Sequence, residues 1–291
     1  MAEVLDLARL ADDDGWYGIW YADHYMPNTG GDDVAPGDVH ECWSVLAALA
    51  VSTERVRLGP LVSPTSVHHP ALLANRAATI DQLSRGRFVL GMGAGWQINE
   101  HRAYGIELEP PGARVSRFEE SIQIVRSLLD GERTTFDGSY YAFADAPCEP
   151  KPVQARLPIL VGSAAPRMMR ITARYADEWN TWGAPELAIA NLERFADACQ
   201  SVDVDPSSKW RAAQALIFVT DDQEAIDKVR SGAMAERSIA GPVGHLVDEV
   251  GRYAEAGFDE FIVPDFTLGA TAAERSDNLR RFRSEIADQV G

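Results

Sequence analysis

A parallel α/β fold of the TIM (β/α)8 barrel type, decorated by a hairpin insertion, is what this sequence predicts. Short apolar runs alternate with helix-periodic segments; seven such βα units fit on 291 residues; and four runs end in turns of unusual composition. We read residues 1–291 as a single domain, with the insertion at about 132–157.

Val4, Leu7, Ala8 and Ala11 share one helical face, and Gly15 ends that pattern as a cap. A strand is expected over 16–21, followed by the polar turn 22–27 and an exposed Gly/Asp/Pro-rich loop over 28–38. Residues 41–53 form an alanine-rich helix, 56–64 a strand interrupted by proline, and a helix starts at Pro70 in the favoured first-turn position and runs to about Leu83. The apolar run 88–90 reads as a buried strand, with Gly91, Gly93 and Gly95 following it where side chains would obstruct a ligand's approach to the backbone. That spacing lacks the last glycine of a dinucleotide fingerprint. Val115, Phe118, Ile122, Val125 and Leu129 mark a long helix over 111–130, and Asp137-Gly138 signals the turn of a hairpin over 134–143. Strands follow at 158–161, 178–182, 210–219 and 258–263, and helices at 166–176, 185–200, 242–256 and 272–290; Thr220, Asp221 and Asp222 cap the segment after the third of these strands. The chain opens on a helix, so the strand that would precede it in an eight-stranded barrel is expected to be missing, through a start lying upstream or a real gap with an edge to cover.

A net charge of −17 disfavours nucleic acid and anionic membranes as partners. No apolar run is long enough for a membrane span, and Met1 leads straight into an amphipathic segment, so a soluble cytoplasmic protein is expected. Cys42, Cys148 and Cys199 lie far apart with no metal-ligand spacing around them, so no metal is expected.

In such a barrel the site lies at the carboxyl ends of the strands. Asp23 and His24 end one strand, residues 59–63 span another, residues 93–100 follow a third, and residues 162–166 a fourth. The last is the candidate phosphate cradle: Gly162 permits close approach, Ser163 offers a hydroxyl, and new-helix amides point at an anion, with Arg167 and Arg170 in the first turn. His24 is a candidate proton carrier beside Asp23. Glu100 is the carboxylate nearest the glycine turn, with a solvated helix start as its ordinary explanation. His68 and His69 read as turn and cap residues, and His40, His101 and His245 as surface or helix residues.

These motifs carry a resemblance. Gly15-Trp16-Tyr17-Gly18-Ile19-Trp20 with Ala22-Asp23-His24, Leu58-Gly59-Pro60-Leu61-Val62-Ser63-Pro64 with His69-Pro70, and Gly93-Ala94-Gly95-Trp96 with Asn99-Glu100-His101 and Tyr104-Gly105 occur in order. Arg114, Arg117, Glu120, the strand ending at Gly162 and Ala176-Asp177-Glu178-Trp179-Asn180 continue the set. Together they resemble the luciferase-like flavin-dependent monooxygenases and reductases, in the branch that often uses coenzyme F420. The resemblance implies an F420-dependent oxidoreductase acting on a small organic substrate, with FMN as the alternative cofactor and a reduced-FMN, dioxygen-dependent monooxygenase or a non-catalytic flavin-binding homologue as alternative functions. It implies His24, Asp23 and Glu100 as the catalytic set. It implies Asp23, His24, Pro60, Leu61, Val62, Gly93, Ala94, Gly95, Asn99, Gly162, Ser163, Ala164, Ala165 and Arg167 as cofactor contacts. A homodimer, a separate cofactor reductase, and a non-prolyl cis peptide at Pro60-Leu61 or Leu61-Val62 are implied as well. The sugar-phosphate dehydrogenases of this branch carry a tryptophan where Asn28 stands and a carboxylate where Trp96 stands, so the same substrate is not expected here. The loops 28–38 and 232–241 are expected to set the substrate.

Overall fold

The computed structural model describes residues 1–290. The chain divides into two compact units, Met1–Gly162 and Ser163–Gly291. The first opens on helix α1 (Ala2–Asp13), and Gly15, at φ +77°, turns the chain into strand β1 (Gly18–Tyr21). Helix α2 (Cys42–Ser52) is capped by Glu41, whose carboxylate accepts the Trp43 and Ser44 N–H groups at 3.1 and 2.7 Å. Strand β2 (Arg57–Pro60) lies parallel to β1 from Gly18↔Arg57 to Tyr21↔Pro60, and the short strand β3 (Ser63–Pro64) follows. Helix α3 (Pro70–Ser84) is capped by His69, as its sequence position implied. Strand β4 (Leu90–Gly93), helices α4 (Ile98–Ala103) and α5 (Pro111–Asp130), the antiparallel pair β5 (Thr134–Asp137) and β6 (Ala142–Ala146), and strand β7 (Ile159–Gly162) complete this unit.

Two strands differ from expectation. The expected run 56–64 splits, because β2 pairs with β1 while β3 pairs with β4. The run at 88–90 supplies only a single bridge, Leu58↔Phe88, and the ladder proper is Leu90–Gly93, so Gly91 and Gly93 sit inside the strand. Neighbouring chain explains those glycines: a Cβ on Gly91 would stand 1.9 Å from the Pro60 carbonyl oxygen, and one on Gly93 2.6 Å from Val62 Cγ2.

A buried carboxylate ties α1 to the entry of β2. Asp12, 5% exposed, accepts the backbone N–H groups of Glu54, Arg55 and Val56 at 2.9, 2.7 and 2.8 Å. Burial alone would raise its pKa; the three N–H donors and the nearby Arg55 charge outweigh that and hold it below the ordinary range. A depressed folded pKa means that this stabilisation is complete above about pH 4 and is lost as pH falls through the folded value. Asp12→Ala should therefore cost about 2–3 kcal/mol of unfolding free energy in urea at pH 7, with the gap to the parent protein narrowing below about pH 4.

The second unit runs through helix α6 (Pro166–Tyr175), strand β8 (Glu178–Trp182), helix α7 (Pro185–Gln200), strands β9 (Trp210–Gln214) and β10 (Leu216–Val219), and helix α8 (Gln223–Ser231), whose cap Asp222 accepts from Glu224 N–H. Strand β11 (Ser238–Gly241), helix α9 (Val243–Ala256), strand β12 (Glu260–Ile262) and helix α10 (Ala272–Phe282) follow, the last with a Thr271–Glu274 capping box. β9 lies between β8 and β12, all parallel, while β10 pairs with β11. The expected single strand 210–219 is thus two, interrupted at Ala215. The expected substrate loop 232–241 is corrected too, since its last four residues are β11, a strand too short for a period-2 pattern to reveal. Trp179 stacks on Phe195 of α7 at 4.4 Å and anchors that helix to β8. Among the described residues no helix is long and apolar enough to cross a membrane, and no group of three or more His, Cys, Asp or Glu side chains could hold a metal ion.

Candidate active site

Parallel pairing brings several strand ends of the first unit to one edge: Tyr21 pairs with Pro60, Ser63 with Met92, and Met92 with Val161. From the end of β1 the chain delivers Asp23 and His24. The His24 Nδ1 lies 3.0 Å from Glu100 Oε1, and the other Glu100 oxygen accepts the Tyr25 backbone N–H at 3.0 Å. Glu100 is 1% exposed, so the solvated helix start is corrected: this carboxylate is buried and occupied. A carboxylate can only accept, so the neutral imidazole keeps its proton on Nδ1 and presents the lone pair of Nε2, which has no partner among the described residues. Trp96, 56% exposed, meets the His24 ring edge to face, with ring centroids 5.5 Å apart. Burial and the charge of Asp23 push the Tyr25 hydroxyl far above its ordinary pKa, so it keeps its proton.

Asp23 is 1% exposed. Its Oδ2 accepts from Trp43 Nε1 at 3.1 Å and Ser63 Oγ at 2.5 Å, and lies 2.9 Å from His68 Nε2, while Oδ1 is buried with no partner. Burial raises the pKa of this carboxyl, but the hydrogen bonds from His68, Ser63 and Trp43 more than offset it, and the group sits below the ordinary range. Trp43, Ser63 and His68 were not read as site residues. His68 lies in the turn before α3, as expected, and its side chain is in addition a buried partner of Asp23, 45 positions away in sequence. His101 is a helix residue, within α4, but not a surface one: it is 2% exposed and lies 2.7 Å from the Gln97 carbonyl and 2.8 Å from Ser66 Oγ.

The turn after β4 is held from several sides. The Gly95 carbonyl accepts from Arg114 at 2.6 Å, and Gly95, at φ +89°, leaves no room for a Cβ, which would fall 2.0 Å from Ser66 Oγ. Asn99 directs its amide nitrogen to the Pro27 carbonyl at 2.9 Å, with Asp33 O and Thr29 Oγ1 at 3.3 and 3.4 Å, and its oxygen accepts the Glu100 N–H at 3.0 Å. Its polar atoms therefore secure the 28–38 loop. Pro60 is buried, whereas Leu61, Val62 and Ala94 are partly exposed. Glu120 accepts the N–H groups of Ser139, Tyr140 and Tyr141 and supports the hairpin from α5.

In the second unit the Ser163 N–H donates to the Asn180 carbonyl at 3.0 Å, and the Ser163 carbonyl accepts from Trp179 Nε1 at 2.8 Å, which fixes the turn before α6. The Ser163 hydroxyl is buried without a partner, Ala164 and Ala165 are exposed, and no side chain caps α6. Arg167 is exposed in its first turn.

The model of the luciferase-like monooxygenase family matches residues 1–257. The chain belongs to this family. An F420-dependent glucose-6-phosphate dehydrogenase of Beutenbergia cavernae is 36% identical over an alignment of 325 positions, covering 99% of this chain and 93% of that one. Another, of Microbacterium testaceum, is 36% identical over 193 residues, 65% of this chain; there the chain spans only 56% of its relative's length. The structure of a coenzyme F420-dependent tetrahydromethanopterin reductase from Methanopyrus kandleri matches all of this chain and 96% of its own, with a TM-score of 0.81 at 17% identity, which shows that the fold is shared. In this luciferase-like chain the non-prolyl cis peptide is Leu61-Val62, one of the two bonds expected from the resemblance.

Proposed function

We propose that this chain is an oxidoreductase that moves a hydride between coenzyme F420 and a small organic substrate, with His24 carrying the proton. One observation bears most of this reading: His24 has Nδ1 fixed by buried Glu100 and Nε2 without a partner among the described residues, in a ring that packs against exposed Trp96. The residues also fit the cofactor. The orphan Asp23 Oδ1 of the first unit is a buried acceptor suited to a ring N–H. The Leu61-Val62 segment, partly exposed, would line the ring.

When bound, F420 supplies a two-electron hydride donor or acceptor. The protein's own residues do the rest. Glu100 holds the imidazole in the tautomer whose Nε2 takes a proton from a substrate hydroxyl, or in its protonated form gives one back. Trp96 offers an apolar ring against the imidazole. An indole there, where sugar-phosphate dehydrogenases carry a carboxylate, supports a substrate with apolar surface. The names of the two F420-dependent relatives support the cofactor; the family's monooxygenase description keeps FMN as the second reading. The resemblance further supports a cytoplasmic homodimer served by a separate enzyme that reduces the cofactor.

Titration of the purified protein with F420 and with FMN, followed by fluorescence, tests the reading. We expect F420 to bind at least tenfold more tightly; tighter FMN binding would overturn the choice of cofactor, and binding of neither would favour a non-catalytic homologue.

A further inference from the structure

We propose that His68 is a positioning residue that holds Asp23 as an oriented carboxylate, with its own tautomer imposed by Arg76. His68 is 7% exposed. Its Nε2 lies 2.9 Å from Asp23 Oδ2 and its Nδ1 3.3 Å from Arg76 NH1. A guanidinium has donors only, so Nδ1 must present its lone pair, and the one proton of the neutral ring is placed on Nε2, facing Asp23. A doubly protonated ring would set an N–H against an N–H at that distance, between two cations.

Arg76 is itself aimed. Its guanidinium lies over the Trp43 ring at 5.7 Å, and Trp43 meets the His68 ring edge to face at 6.2 Å. Trp43 also donates to the same Asp23 oxygen as His68 does. Arg76, Trp43 and His68 therefore form one assembly behind the carboxylate, Trp43 and His68 buried and Arg76 partly exposed, drawn from α2, α3 and the turn between β3 and α3. Three donors converge on Oδ2 and fix the plane of the carboxyl group, so that Oδ1 is the oxygen presented without a partner. Tyr25 adds a weaker contact, with its hydroxyl 3.5 Å from His68 Nε2. Asp23 adjoins the proton carrier in sequence, yet the His24 ring takes its hydrogen bond from outside this assembly, at Glu100. Its effect falls on what Asp23 Oδ1 binds, and not on the proton.

The proposal rests on Asp23 being a cofactor contact, but its first test does not. Nitrogen-15 spectra of the ligand-free protein, with His68 assigned by comparison with H68Q, should show one protonated and one bare nitrogen at pH 7, the bare one being Nδ1. A doubly protonated ring, or a proton on Nδ1, would overturn it whether or not F420 binds. The second test uses F420 titration. His68→Leu should weaken F420 binding about tenfold while kcat at saturating F420 stays within about threefold, because Asp23 Oδ2 loses one of its three donors and the carboxyl plane is held less firmly, while the His24–Glu100 contact is kept. His68→Gln keeps a donor for Asp23 and an acceptor for Arg76, and should restore affinity to within about threefold of the parent. Equal F420 affinity in a folded H68L protein, or no recovery in a folded H68Q protein, would refute the positioning role. Failure of the parent protein to bind F420 would instead sink the proposed function and leave the tautomer result standing.

Discussion

His24→Ala should lower kcat by about 10²–10⁴-fold and leave F420 binding within a few-fold of the parent protein, the range expected when a positioned acid–base group is removed. His24 is the group with one nitrogen held and the other open, so its loss removes a proton path without disturbing the buried assembly around Asp23. Pre-steady-state hydride transfer, followed by F420 absorbance, measures the step directly. An alanine variant turning over at the parent rate would remove His24 from the chemistry.

Glu100→Gln should be nearly as damaging, for a reason that lies in hydrogen-bond polarity. The Tyr25 N–H and His24 Nδ1 each contact one Glu100 oxygen at 3.0 Å. A glutamine has a single oxygen, and the backbone N–H, which can only donate, must take it. The amide NH2 is then turned to Nδ1, which selects the tautomer with its proton on Nε2, the wrong edge for accepting one. We expect kcat to fall about 10²-fold or more, with a folded protein and little change in F420 affinity. Glu100→Asp, which keeps the charge but shortens the reach, should be the milder lesion. Equal rates in parent and E100Q proteins would mean that Glu100 does not set the His24 tautomer.

Much of this was legible in the sequence because it is local. Pro70 in a first helical turn, Asp222 before α8 and the Asp137-Gly138 signal for a hairpin each act within a few residues, and the structure uses them so, although the hairpin turn spans 138–141. Asp23 and His24 stood out as the polar, titratable pair in the turn that closes the strand expected over 16–21. What could not be read were partners far apart in the chain. His68 finds Asp23 across 45 positions and His101 finds Ser66 across 35, and neither pairing leaves a trace in periodicity or composition. The glycines after Phe88 were legible as glycines but not by cause: a bare backbone is needed against Pro60 and Val62 of the adjoining chain. Strand β11, four residues long, falls below the length at which alternation separates from chance.

Asn99 carries a last implication. Its amide nitrogen reaches the Pro27 carbonyl and two points on the segment 28–38, while its oxygen restrains the backbone of the very next residue, Glu100. Displacing that segment pulls on the group that orients the imidazole. Under the proposed function, in which the 28–38 segment sets the substrate and His24 carries the proton, a swap of the whole segment for that of a cousin enzyme should retune the reaction rate along with the choice of guest.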